Sequence, residues 1–264
     1  MRIWFFLLIT IGILQASSIS TPLLTIEDKR GAIEAPQLKV GMSGFVVRHF
    51  DATHSSIIAN ARVTQISPSS NRAIIEFSNY DGLRQNSLPS GTWSPKVADE
   101  VVIAYDYGRA LLIAPNDDAY LALTASIPNI EWIHPDLYAT YLSHEGHPTP
   151  LVEDFRRFCT SGSIGLLFVQ SAQTLFTLDC KNFTLLQSTE SVAQNQKAQT
   201  PFYTRVPKIR AAWWGEGSST LENYEPYYLE LIALSNPKNK ELYALYKAKF
   251  GEKSALLRHF ELKE

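Results

Sequence analysis

The residues most capable of chemistry stand together in "WIHPDLYATYLSHEGHPTP", Trp132 to Pro150. The stretch holds His134, His144 and His147, half of the six histidines in the chain, with Asp136 and Glu145 among them. Imidazoles and carboxylates at this density could ligate a metal or move protons. The spacing argues for another role. A zinc-protease helix sets two histidines at i and i+4 on one face, with a glutamate beside the first. "HEGH" sets them at i and i+3, with Gly146 inside and Pro148 directly after. His144 and His147 therefore fall at a helix end, where an imidazolium meets the negative end of the dipole. His134 sits before Pro135 in a short strand, packed beside Trp132. A catalytic zinc site needs three rigid ligands and one open position, and only His134 stands on a firmly placed element. Capping and surface roles are expected here, with no metal and no other cofactor.

The remaining candidates point the same way. The G-x-S-x-G nucleophile elbow is absent. "GEGSS" (215–219) lacks the lysine and the strand–loop–helix frame of a phosphate loop, so it reads as a hairpin or bulge. Asp117-Asp118 and Glu153-Asp154 are paired carboxylates in expected first turns, where capping explains them. No catalytic residue is assigned. Trp213-Trp214 and Tyr227-Tyr228 are adjacent aromatic pairs. In a strand each pair would turn one ring in and one out, and an outward ring suits a binding face; core packing is the alternative for most of the aromatic residues.

The elements that position these residues change character along the chain. Residues 38–115 read as a small β-barrel, with β-rich runs at 44–50, 56–66, 72–77, 100–107 and 109–115 separated by turn clusters. Tyr107-Gly108 reads as a tight hairpin turn between the last two. From residue 116 the pattern becomes α/β. Asn116 caps a helix over "DDAYLALTASI". "NIEWIH" is a short strand, and "PDLYATYLSH" is a helix with Pro135 at its first position. "TPLVEDFRRFC" is a helix with Thr149 as N-cap and Pro150 at N1. "SIGLLFVQ", "TLFTLDC" and "FTLLQS" follow as three strands, antiparallel because their connections are short. Residues 188–199 read as a polar linker. An aromatic-rich β or loop segment comes next, and then the amphipathic helix "NKELYALYKAKFG", with Leu242, Leu245, Tyr246 and Lys249 on one face and Gly251 as its C-terminal stop. The fold class is α+β: residues 19–115 form the barrel unit, 116–190 the α/β unit, and 191–264 the linker, aromatic segment and closing helix.

Bulk properties bound the function. The chain opens "MRIWFFLLITIGILQASSIS": one positive charge, an apolar run, then small residues, the order of a secretory leader. A cut after Ser18 is expected, with Ala16 the second choice. The apolar run is about 12 residues against the roughly 20 that span a bilayer, so the exported chain carries no membrane span once the leader is gone. With 24 Lys+Arg against 26 Asp+Glu and a net charge of −2 over 264 residues, the chain lacks the basic footprint of a nucleic-acid binder. Its two cysteines, Cys159 and Cys180, would meet an oxidising compartment, where a disulfide is the default; two buried thiols or a redox pair are the alternatives. Cys159 closes a helix and Cys180 closes the middle strand of the three, so a bridge would staple helix to sheet.

Seven segments appear in order: "KVGMSGFVVRHFDATHSSIIANARV", "SLPSGTWSPKVADEVV", "RALLIAPN", "WIHPDLYA", "PTPLVEDFRRFC", "LDCKNF" and "TPFYTR". In this order they resemble the N-terminal region of the plasminogen-binding surface proteins (PgbA/PgbB type) of host-associated, flagellated bacteria, over about residues 25–215. The resemblance implies a non-enzymatic exported protein that captures host plasminogen through lysines. Kringle lysine sites hold an ammonium and a carboxylate together, so a C-terminal lysine is the best ligand, and an internal lysine beside a carboxylate can mimic one. Longer members continue into a Lys-rich extension; this sequence ends "RHFELKE", which leaves Lys263 as the candidate. Two other readings stand beside this one. The first is a periplasmic scaffold or interaction module of an envelope or flagellar-motor assembly. The second is a hydrolase using the His134/His144/His147 region.

Overall fold

A computed structural model describes residues 18–34, 37–67, 69–80, 93–191 and 197–262. The expected leader, apart from Ser18, lies outside the described residues, as does Lys263.

Six strands form a closed antiparallel barrel: β1 (Ile19–Glu27), β2 (Arg30–Glu34), β3 (Ser43–His49), β4 (Ser55–Ser67), β5 (Arg72–Asn79) and β6 (Glu100–Ile103), in the order β1-β2-β5-β4-β3-β6. Pairing of β6 back onto β1 closes the ring, which removes every free sheet edge. Alternate residues fill the interior, among them Leu23, Ile33, Val46, Val63, Ile75 and Ile103. The first two strands precede the residues whose pattern reads most clearly as β. Pro22 obscures β1, yet it is tolerated because pairing to β2 begins only at Leu23.

The second unit is a five-stranded sheet of order β11-β10-β9-β7-β8. It comprises β7 (Arg109–Ile113), β8 (Glu131–Ile133), β9 (Leu166–Ser171), β10 (Thr174–Asp179) and β11 (Leu185–Glu190). The last three are antiparallel, as their short connections require, while β7 runs parallel to both β8 and β9. Three helices serve the parallel crossovers: α1 (Asp117–Ser126), α2 (Pro135–Glu145) and α3 (Val152–Gly162). Two more, α4 (Tyr224–Ser235) and α5 (Lys240–Phe250), join α2 and α3 in a helical layer, while α1 packs on the barrel side.

This sheet is a partition between two cores. On β7, Ala110 and Leu112 face the barrel side while Leu111 and Ile113 face the helices. On β9, Leu166 and Phe168 divide from Leu167 and Val169 in the same way. Burial on both faces is why these strands read as continuous apolar runs. The Cys159–Cys180 disulfide ties α3 to the end of β10. Closing a loop of about 20 residues adds roughly 3 kcal/mol in the chain-entropy model.

Four sequence readings are corrected. Tyr107-Gly108 is not a hairpin: β6 stays in the barrel, and β7 crosses into the second sheet because its residues are apolar on both faces. Thr149 is not the cap of α3. Leu151 holds that position and its N–H donates to Asp154 Oδ2 at 2.8 Å, while the Thr149 hydroxyl donates to Ser219 O instead. Residues 188–190 belong to β11, not to a linker. Tyr227-Tyr228 lies in α4, where an i, i+4 pattern buries Tyr224, Tyr228 and Ile232 together.

The two units are joined at the turn after β10. The Asp179 carboxylate accepts hydrogen bonds from Ser43 N (3.0 Å), Ser43 Oγ (2.6 Å), Tyr107 Oη (2.8 Å), Lys181 N (3.1 Å) and Asn182 N (3.1 Å). Burial raises its carboxyl above the ordinary value, against the pull of those donors. Burial also pushes the Tyr107 hydroxyl far upward, which keeps it a donor. Lys181 pairs with Asp106 and lies 4.4 Å over the Phe45 ring, and Asn182 Nδ2 donates to Gly41 O at 2.7 Å. The close approach needs Gly165, where a Cβ would stand 2.5 Å from the Asp106 carbonyl carbon.

Two outcomes follow from these contacts. Asp179→Ala strands five donors at a buried junction and lowers unfolding free energy by about 3 kcal/mol or more, read by urea denaturation; an unchanged midpoint would refute the joint. The second concerns Asp99, gripped by Arg48 at 2.7 and 3.0 Å. Burial alone would raise its carboxyl, but the Arg48 hydrogen bonds and charge and the Lys96 N–H outweigh it, so the group lies below its ordinary value. Its contribution is therefore full above the ordinary carboxylate range of about pH 4 and is lost as pH falls through the lower folded value. Asp99→Asn flattens that acid limb in denaturation curves taken across pH.

Candidate binding surfaces

The three histidines of the opening stretch do not converge. His134 is the N-cap of α2: its Nδ1 accepts from Asp136 N at 3.1 Å, and its ring meets Tyr120 edge-on at 5.2 Å. Burial lowers its pKa, and Arg205 adds to this, against the opposing charge of Asp136. A neutral ring is what an accepting Nδ1 requires. His144 projects from the last turn of α2 with its side chain 87% exposed, beside Glu145. His147 lies beyond the helix and pairs through Nδ1 with the buried Asp154 of α3 at 2.9 Å. Helix grammar thus separates them: Pro135 starts α2 and Gly146, at φ 79°, ends it. Among the described residues no group of three or more His, Cys, Asp or Glu is placed to hold a metal ion.

The same stretch supports the most exposed aromatic feature among the described residues. Residues 205–219 run alongside α2 and are fastened at both ends. Arg205 pairs with Asp136 at 2.7 Å, Arg210 N donates to Ser143 Oγ at 2.9 Å, and Ala212 N donates to Gly146 O at 2.8 Å. On the far side Thr149 N donates to Gly217 O at 3.1 Å, and Thr149 Oγ1 donates to Ser219 O at 2.7 Å. A Cβ on Gly146 would meet Ala212 at 2.7 Å, so glycine is needed there for contact as well as for φ. Between these fastenings stand Trp213, 97% exposed, and Trp214, 82% exposed. Both rings point outward, against the one-in, one-out expectation, because the segment is a turn with no strand alternation. "GEGSS" is that turn, with Gly215 and Gly217 at positive φ.

A second surface is a groove of about 1100 Å³ where barrel, sheet edge and helices meet. Its rim carries Lys39, Arg62, Lys238 and Lys240 against Glu241. Lys39 Nζ donates to Leu186 O on β11, and Arg62 pairs with Glu76 at 2.7 Å, which leaves Lys238 and Lys240 exposed to solvent. Nearby on the helical layer, Lys247 and Glu252 form an exposed pair at 2.8 Å, 46% and 77% open. No sequence motif marked these lysines; their shared feature, a cation within a few positions of an acid near a helix end, was visible at Lys240-Glu241 and from Lys247 to Glu252.

Two indoles held out by a fastened turn, and a groove with Lys238 and Lys240 on its rim, are the candidate surfaces of this fold. The class they belong to is an α+β fold with a closed barrel and a mixed sheet. Residues 18–232 match the family model described as the N-terminal part of plasminogen-binding protein PgbA, and the chain belongs to that family. Plasminogen-binding protein PgbA of Helicobacter pylori strain J99 is 31% identical over 211 residues, and that of strain 26695 is 30% identical over 211. Each alignment covers 79% of this chain and 45% of the relative, so the chain spans less than half the length of the curated relatives it matches. No solved structure matches it.

A capping histidine and a metal ligand respond differently to one experiment. His134→Ala lowers stability by about 1 kcal/mol through the lost cap. Zinc and chelator both leave the thermal midpoints of parent and variant unchanged. A zinc-dependent rise that the variant loses would reinstate a metal role.

Proposed function

We propose that this chain is an exported, non-enzymatic binding protein that engages plasminogen through lysines. The observation that carries the reading is its similarity to two proteins named for plasminogen binding, along most of its length. The disulfide supports export, since such bonds persist in oxidising compartments. No helix among the described residues is long and apolar enough to cross a membrane.

Lysine capture needs an ammonium and a carboxylate offered together on an accessible surface. Lys247 with Glu252 supplies both, and Lys263 with Glu264 repeats the combination at the end of the sequence. An exposed ion pair contributes little to stability, so Lys247 can exchange its partner for an acidic pocket at small cost.

Surface plasmon resonance on immobilised plasminogen is the direct measurement. Binding is expected, and excess lysine analogue abolishes it. Lys247→Ala combined with Lys263→Ala weakens it by about tenfold or more, the size of a binding hot spot. Absent binding, or binding indifferent to the analogue, defeats the proposal.

A further inference from the structure

The Trp213–Trp214 turn "AAWWGEG" contains no lysine, and its composition is distinct. An exposed apolar group of this size in a folded protein marks an interaction site. Three observations bear on what it meets. First, the indoles stand almost fully in solvent, and no aromatic ring contact to either occurs among the described residues. Second, the side chains around them are minimal: Ala211 and Ala212 precede, Gly215 and Gly217 follow, and Glu216 is the one polar group in "AAWWGEG". A pocket for a sugar or a peptide side chain needs fixed donors and acceptors around a concave floor, and this turn supplies neither. Third, two cationic residues precede the turn, and Glu216 is the one acid within it. Lys208 and Arg210 are exposed, and neither side chain forms an ion pair among the described residues.

Tryptophan beside unpaired Lys and Arg is the chemistry of a bilayer interface. Indoles settle at headgroup depth because one edge is apolar and the N–H stays wet. Cations nearby are drawn to anionic headgroups. A bilayer needs no preformed groove on the protein, and it accepts two bare rings at once. The fastenings at Gly146, Ser143 and Thr149 keep the turn from folding its rings back onto the protein.

We infer that the Trp213–Trp214 turn, with Lys208 and Arg210, is a docking surface for an anionic phospholipid bilayer. The protein would lie on the membrane through this turn without spanning it, and the groove and the Lys247–Glu252 surface are not needed for that contact.

The test uses the chain beginning at Ser18, which keeps every described residue and removes the apolar leader. Vesicles of phosphatidylethanolamine with phosphatidylglycerol are the probe, and phosphatidylcholine vesicles are the control. Co-sedimentation with the anionic vesicles is expected, together with a blue shift in tryptophan emission and quenching by brominated lipid. Trp213→Ser with Trp214→Ser removes all three signals while circular dichroism stays unchanged. Lys208→Ala with Arg210→Ala weakens partitioning by about 30-fold, and raised salt mimics that variant. No binding of the parent to anionic vesicles overturns the inference, as does undiminished binding by the tryptophan variant. If the parent ignores vesicles and the tryptophan variant instead loses plasminogen binding, the turn is a protein-docking surface and the lipid assignment is wrong. The lysine variants of the preceding section leave vesicle binding intact, so failure of one proposal is separable from failure of the other.

Discussion

The architecture hangs on one buried carboxylate. Barrel and partition sheet are each built by ordinary strand pairing, but nothing in that pairing fixes one against the other. Asp179 does so. It stands at the end of β10, and it takes its donors from the start of β3, from the turn between β6 and β7, and from its own following residues. Five hydrogen bonds oppose the burial that raises its carboxyl. The next residue, Cys180, carries the disulfide to α3, and the two after it, Lys181 and Asn182, reach Asp106 and Gly41. Four consecutive side chains therefore bind barrel, sheet and helical layer into one arrangement.

That arrangement explains why the helical layer can display rigid surfaces. The partition sheet buries one face against the barrel and the other against α2 to α5, so each helix lies on a floor that is itself backed. Tyr224 Oη donates to Ile113 O and Gln170 O, which fixes α4 to two central strands. Tyr246 Oη donates to Leu229 O, which fixes α5 to α4. The family match ends at residue 232, inside α4, yet Leu242 and Tyr246 beyond it are fully buried. The helix that presents Lys247 is thus part of the core and not an appendage, and the position of its exposed face is set by what it buries.

Much of this was legible in the sequence, and the gaps have physical causes. The cap at Asn116, the Pro135 start and the Gly251 stop depend on local chemistry, and each lies where its residue type requires. The strands β9 to β11 were legible because short connections allow one pairing mode. Two-sided burial is the information a local pattern lacks: "RALLI" reads equally well as the last barrel strand or as the centre of another sheet. Only partners distant in sequence, β8 and β9, decide it. The same limit hid α4. Its apolar and aromatic residues run nearly all the way round, so neither the strand nor the helix period stands out. The candidate surfaces were least legible, because exposure is a property of the whole fold. "AAWWGEG" names two tryptophans but does not say where they point.

Their direction is set by contacts remote from the indoles themselves. A free loop carrying two tryptophans would bury them, since each ring hides a large apolar area against any neighbouring surface. Here Asp136, Ser143, Gly146 and Thr149 each take a hydrogen bond or an ion pair to the 205–219 segment. All four belong to the histidine-bearing stretch that first suggested catalysis. Its punctuation, a proline to begin α2 and a glycine to end it, sets the length of the edge along which the segment runs. In this geometry the stretch supports the 205–219 segment. It spaces the fastenings, and the spacing leaves Trp213 and Trp214 no surface of their own protein to cover.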